Sequence, residues 1–112
     1  MQKNISNYWL TLFEKSNQQE SPDYENTLKY FQKFVDKTPY VKIKTIGITP
    51  QGRELKVIIV SKDKAFTPEL AKKTGKAIVL IQNGIHPGEI EGKDACMLLL
   101  REILITKEKE HL

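Results

Sequence analysis

The sequence predicts an α/β fold, a partial mixed β-sheet with flanking helices, over its 112 residues. Three patterns predict it. Apolar residues recur at helical spacing through Tyr24–Val35, and they alternate with lysines through Val41–Ile48. They then run unbroken through Ala77–Ile81, as in a strand covered on both faces. A doubly covered third strand implies more sheet than three strands supply, so the pattern reads as an incomplete α/β unit.

Taken in order, Ile5, Tyr8, Trp9, Leu12 and Phe13 predict a short amphipathic helix ending near Ser16, and Asn17–Glu20 is a polar loop. Ser21-Pro22-Asp23 is a helix start, with Ser21 as cap and Pro22 at the first helical position. Tyr24, Leu28, Phe31, Phe34 and Val35 form one apolar stripe, which reads as core, and the helix must stop before Pro39. Val41–Ile48 is a strand, Thr49-Pro50-Gln51-Gly52 a turn, and Glu54–Ser61 a second strand antiparallel to the first. Thr67-Pro68-Glu69 opens a short helix through Lys72 that Thr74-Gly75 ends. Asn83-Gly84 breaks the third strand. The following helix, Glu89 to about Ile105, is apolar nearly all round between Ala95 and Leu104 and wants burial on more than one side. Thr106–Leu112 is a charged tail. The chain divides into an N-terminal helix and loop, 1–20, and an incomplete portion of a larger domain, 21–112; no internal repeat is visible.

Composition narrows the function classes. Hydrophobic residues make up 39% and charged residues 29%, a globular balance rather than a disordered one. The net charge of +4 is spread over mixed signs with no basic run interleaved with aromatics, so nucleic acid is not expected as a partner, and the longest apolar runs fall far short of a membrane span, so a membrane is not expected either. Cys96 is the one cysteine, which excludes an internal disulfide. The N-terminus makes no convincing signal peptide; the compartment is cytoplasmic, or secreted or periplasmic if a leader was removed.

The chemistry-bearing segment is Ile81–Asp94, between the buried strand and the buried helix, where α/β sheets bind ligands. His86 offers an imidazole nitrogen and Glu89 a carboxylate, both suited to zinc, and Pro87-Gly88 can bend the chain to aim them at one point. The bare spacing is weak, since 2 histidines and 10 glutamates in the chain produce a His-x-x-Glu by accident often enough, and the bland reading is a solvated loop with a surface histidine.

The surroundings shift that balance. Ile46-Gly47-Ile48-Thr49-Pro50-Gln51-Gly52-Arg53-Glu54-Leu55 resembles the early hairpin of the M14-type zinc carboxypeptidases, with Thr49 where that family usually has serine. Val79–Gly84 followed by His86-Pro87-Gly88-Glu89 is similar to the family's strand and its His-x-x-Glu zinc motif. Ser21–Lys37 resembles its first helix. The likeness spans about residues 21–105 and identifies the chain as an N-terminal fragment of such a metallocarboxypeptidase. It implies removal of the C-terminal residue of a peptide substrate by a zinc-polarised carbonyl and an activated water, with a glutamate as general base. His86 and Glu89 match the first two zinc ligands. The third ligand, the general base and the residues that grip the substrate carboxylate have no match here, so no catalytic residue is assigned and the chain alone is expected to be inactive. Many members place an arginine between the two ligands; Pro87-Gly88 stands there instead, which leaves substrate preference open.

Three further residues are candidates for supporting or structural roles. Arg53 either helps organise the site or pairs with a carboxylate to hold the hairpin. Glu91 and Asp94 either orient a ligand from behind or lie on the helix surface. Cys96 reads as a small buried hydrophobe, and His111 as a solvated tail residue. The exposed sheet edge predicts self-association. The rival reading is a small non-catalytic α/β binding or interaction module, with a satisfied core and a histidine that holds no metal; a third is a degenerate family member that binds peptides without cleaving them.

Overall fold

The computed structural model describes residues 5–112. Asn7–Trp9 forms a 3-10 turn, followed by α1 (Leu12–Lys15), α2 (Tyr24–Lys37), β1 (Val41–Ile48), β2 (Glu54–Val60), α3 (Pro68–Lys73) and α4 (Glu91–Leu104). The chain is α/β, as expected. It divides into two compact units, one comprising residues 1–30 and 81–112, the other Phe31–Leu80. No helix among the described residues is long and apolar enough to cross a membrane.

In the first unit, the single helix expected over Ile5–Ser16 is split. Leu10 is extended, and Thr11 starts a new helix by a capping box: Glu14 N–H donates to Thr11 Oγ1, while Thr11 N–H donates to Glu14 Oε2 at 2.8 Å. The apolar spacing runs across both pieces and so hid the break. The start of α2 also differs. Ser21 does not cap it; Asp23 does, its Oδ1 accepting from Asn26 N–H at 2.9 Å.

The unit's core contains Trp9, Tyr30 and the fully buried Met97. Two buried donors converge on the Trp9 carbonyl: Tyr30 O–H at 2.7 Å and Arg101 Nη1–H at 2.9 Å. Arg101 also grips Glu14, from Nη1 to Oε2 at 2.7 Å and from Nη2 to Oε1 at 2.8 Å. The Arg101 hydrogen bonds hold the Glu14 carboxyl below its usual range, and Glu14 in turn raises Arg101. Burial pushes the Tyr30 phenol up to about 12.

In the second unit, β1 and β2 form an antiparallel hairpin with Val41 opposite Val60 and Ile48 opposite Glu54; a bulge falls between Thr45 and Gly47. The turn is closed by Gly52 N–H to the Thr49 carbonyl, 2.9 Å, with Gly52 at φ +79, a conformation that favours glycine. Thr67 caps α3, and Gly75 follows its end at φ +67. Phe31 and Phe34, with ring centroids 6.4 Å apart, are buried, as are Val41 and Ala65.

The third strand is the main departure. Ala77–Ile81 has no ladder, and the sheet consists of β1 and β2 alone among the described residues. Ile78, Val79 and Leu80 are 68%, 77% and 80% exposed, so the run expected to be covered on both faces is open to solvent. The reason is physical. An apolar run favours burial, but a strand forms only where a neighbouring edge accepts its N–H and C=O groups. No such edge lies alongside this run among the described residues.

Candidate metal centre

The turn that carries His86 and Glu89 is built by backbone geometry just before α4. Gly84 adopts φ +63, a conformation that favours glycine and turns the chain after the apolar run. Glu89 N–H then donates to the His86 carbonyl at 3.0 Å, closing the turn around Pro87-Gly88. This closure brings the two side chains together: His86 Nδ1 lies 2.7 Å from Glu89 Oε1, and His86 N–H donates to Glu89 Oε2 at 3.4 Å. Both groups face solvent, with side-chain exposures of 76% for His86 and 50% for Glu89.

The turn is tied to α4 through Asn83. Asn83 Nδ2–H donates to Cys96 Sγ at 3.0 Å. The Asn83 side chain occupies the space where residue 92 would carry a Cβ, so the first turn of α4 accepts it only because Gly92 has none. Nothing in the composition of the segment advertised this notch; it needs the helix and the preceding loop side by side.

The other candidates lie elsewhere. Glu91 is exposed in the first turn of α4. Asp94 is 7% exposed, not on the helix surface. Its Oδ2 accepts from Ser21 Oγ–H, and Lys93 Nζ donates to the same hydroxyl, 3.7 Å from Asp94. Asp94 is thus directed at Ser21 and Lys93 through Oδ2, and its buried Oδ1 has no hydrogen-bond partner among the described residues. Ser21 was legible only as a helix cap, and no sequence signal linked it to a residue 73 positions away. Arg53 belongs to the hairpin of the second unit, where Nη1–H donates to Gln51 Oε1 rather than to a carboxylate. Cys96 is half-buried.

A family model described as zinc carboxypeptidase matches residues 27–111, well over half of the chain, and the match includes both the hairpin and the His86–Glu89 turn. The chain belongs to the zinc carboxypeptidase family. Its members are zinc-dependent hydrolases, and the hairpin and helices found here are consistent with part of a carboxypeptidase-like fold. Comparison with curated proteins and with solved structures gives no match.

The donor set can be tested against the family's zinc. An imidazole nitrogen and a carboxylate oxygen are the right chemistry, and in a tetrahedral site two such ligands stand about 3.3 Å apart. The 2.7 Å separation of Nδ1 and Oε1 is a hydrogen bond, so a small opening of the pair makes room for an ion. The pair fits as two ligands, one short of the three protein ligands that a catalytic zinc requires. Among the described residues, no group of three or more His, Cys, Asp or Glu side chains is placed to hold a metal ion.

Proposed function

We propose that this zinc carboxypeptidase family chain supplies His86 and Glu89 as a two-point zinc site in a metallocarboxypeptidase that removes C-terminal residues from peptides. The observation that carries this reading is the 2.7 Å approach of His86 Nδ1 to Glu89 Oε1 within a family-matched segment. When bound, zinc supplies Lewis-acid polarisation of the scissile carbonyl and activation of a water.

The chain's own residues act before that chemistry. The turn through Pro87-Gly88 holds the two donors on one side of the chain, reducing the ordering cost of binding an ion. In the free state Nδ1 and Oε1 share a proton-mediated bond; ion binding must break it and leave the Nδ1 lone pair free, with the ring proton on Nε2. Asn83, seated against Gly92, fixes where the turn begins.

Two protein ligands do not complete a catalytic site, so the 112-residue chain alone is expected to bind zinc weakly and to hydrolyse nothing. The test is a hydrolysis assay on peptides with free C-termini, run with and without added zinc, beside imidazole NMR of the ring nitrogens. The expected result is a zinc-induced shift of His86 Nδ1 without turnover. Zinc-dependent turnover would overturn the inactivity, and an unmoved His86 ring would overturn the ligand assignment.

A further inference from the structure

The two units carry opposite charge. Phe31–Leu80 holds eleven lysine and arginine side chains against four acidic ones, a net +7, while the remainder of the chain is net −3. Within the basic unit, a hollow of about 290 Å³ is lined by Asp63, Lys64, Ala65, Leu70, Lys73, Thr74 and Lys76. Asp63 is neutralised by Lys76 at 2.5 Å. Lys64 and Lys73 make no ion pair among the described residues, so the residues that line the hollow carry a net charge of +2.

The wall is fixed. Lys64 N–H donates to the Ser61 carbonyl at 3.1 Å, Ala65 N–H to Ser61 Oγ at 3.0 Å, and Lys44 Nζ to the Phe66 carbonyl at 2.7 Å. Lys64 itself stands at φ +55, a conformation that the turn imposes. Thr74, which also lines the hollow, is held by its N–H and Oγ–H, both donating to the Ala71 carbonyl in the last turn of α3.

We infer that this hollow binds a phosphate group, through Lys64, Lys73 and Lys76. A phosphate monoester carries about −1.5 to −2 at neutral pH, which matches the excess of two lysines where a single carboxylate does not. Lysine ammonium groups bind phosphate as point charges and need no planar alignment. The site involves neither His86 nor Glu89 and stands whether or not these bind zinc.

The test is amide NMR of the full chain titrated with inorganic phosphate in metal-free buffer at constant ionic strength, with chloride as control. Saturable shifts confined to Asp63–Lys76 are expected. The double substitution Lys64→Gln/Lys73→Gln should weaken binding about fivefold or more, and Asp63→Asn should tighten it, because Lys76 is released. Sedimentation with phosphatidic acid vesicles separates the sources: binding that phosphate displaces assigns a lipid headgroup, and its absence a soluble phosphate compound. Unsaturable shifts, equal affinity in the double variant, or weaker binding in Asp63→Asn would each overturn the site.

Discussion

The Arg101 guanidinium holds the Glu14 carboxylate by two hydrogen bonds, of 2.7 and 2.8 Å, across 87 positions of sequence. The same guanidinium reaches the Trp9 carbonyl, so one side chain of α4 fixes both the 3-10 turn and α1. Arg101 is nearly fully buried, and its removal strands the Glu14 charge. Arg101→Ala should therefore cost about 2–4 kcal/mol in urea unfolding. A cost below about 0.5 kcal/mol, the range of ordinary surface substitutions, would contradict this anchor.

The pair also sets an acid limit. Because folding lowers the Glu14 pKa, the contribution is present above the unfolded carboxyl's range, and it is lost as pH falls through the folded value. Stability measured from pH 7 down to pH 3 should fall more steeply in the native sequence than in Glu14→Gln. Parallel curves would mean that the carboxylate contributes nothing.

Tyr30 gives an alkaline signature of the opposite sign. Its folded pKa, about 12, lies above the ordinary phenol value, so its contribution is complete below about pH 10 and is lost as pH rises through 12. Ultraviolet titration should show a late tyrosine step near pH 12, and Tyr30→Phe should remove that step. Loss of the late step from another tyrosine's substitution would misplace the buried phenol.

Much of this architecture was legible in the sequence, for local reasons. The Val41–Ile48 alternation and Gly52 located the hairpin; Pro39 located the end of α2; Thr67-Pro68 located α3. These signals act within a few residues. What failed was non-local. Ala77–Ile81 has strand composition but needs a partner edge, and composition does not supply one. Ser21 looked like a cap because its tie to Asp94 depends on packing. In the candidate site, the meeting of His86 and Glu89 was readable because three residues and a Pro-Gly turn bring them together, whereas the Asn83–Gly92 notch was not.

That notch makes its own prediction. Gly92→Ala places a methyl group where Asn83 sits, displacing the amide from Cys96. Cys96 should then react faster with an aromatic disulfide reagent, while global stability stays within about 1 kcal/mol because alanine favours the helix. Unchanged thiol reactivity would show that Asn83 does not shield Cys96.

The exposed run Ile78–Leu80 should drive self-association. It combines strand propensity with no charge and a backbone that joins no ladder among the described residues, the pattern that pairs edge to edge. In sedimentation velocity the native sequence should associate as its concentration rises, and Val79→Lys should shift it toward monomer. A native chain that stays monomeric, or a variant that associates equally, would contradict this.

The most direct test of the account is zinc calorimetry on the native chain beside His86→Ala and Glu89→Ala. Weak one-to-one binding is expected, reduced about tenfold or more by either substitution, since each removes one of two converging donors. Zinc affinity that survives both substitutions unchanged would show that the imidazole and the carboxylate do not share an ion.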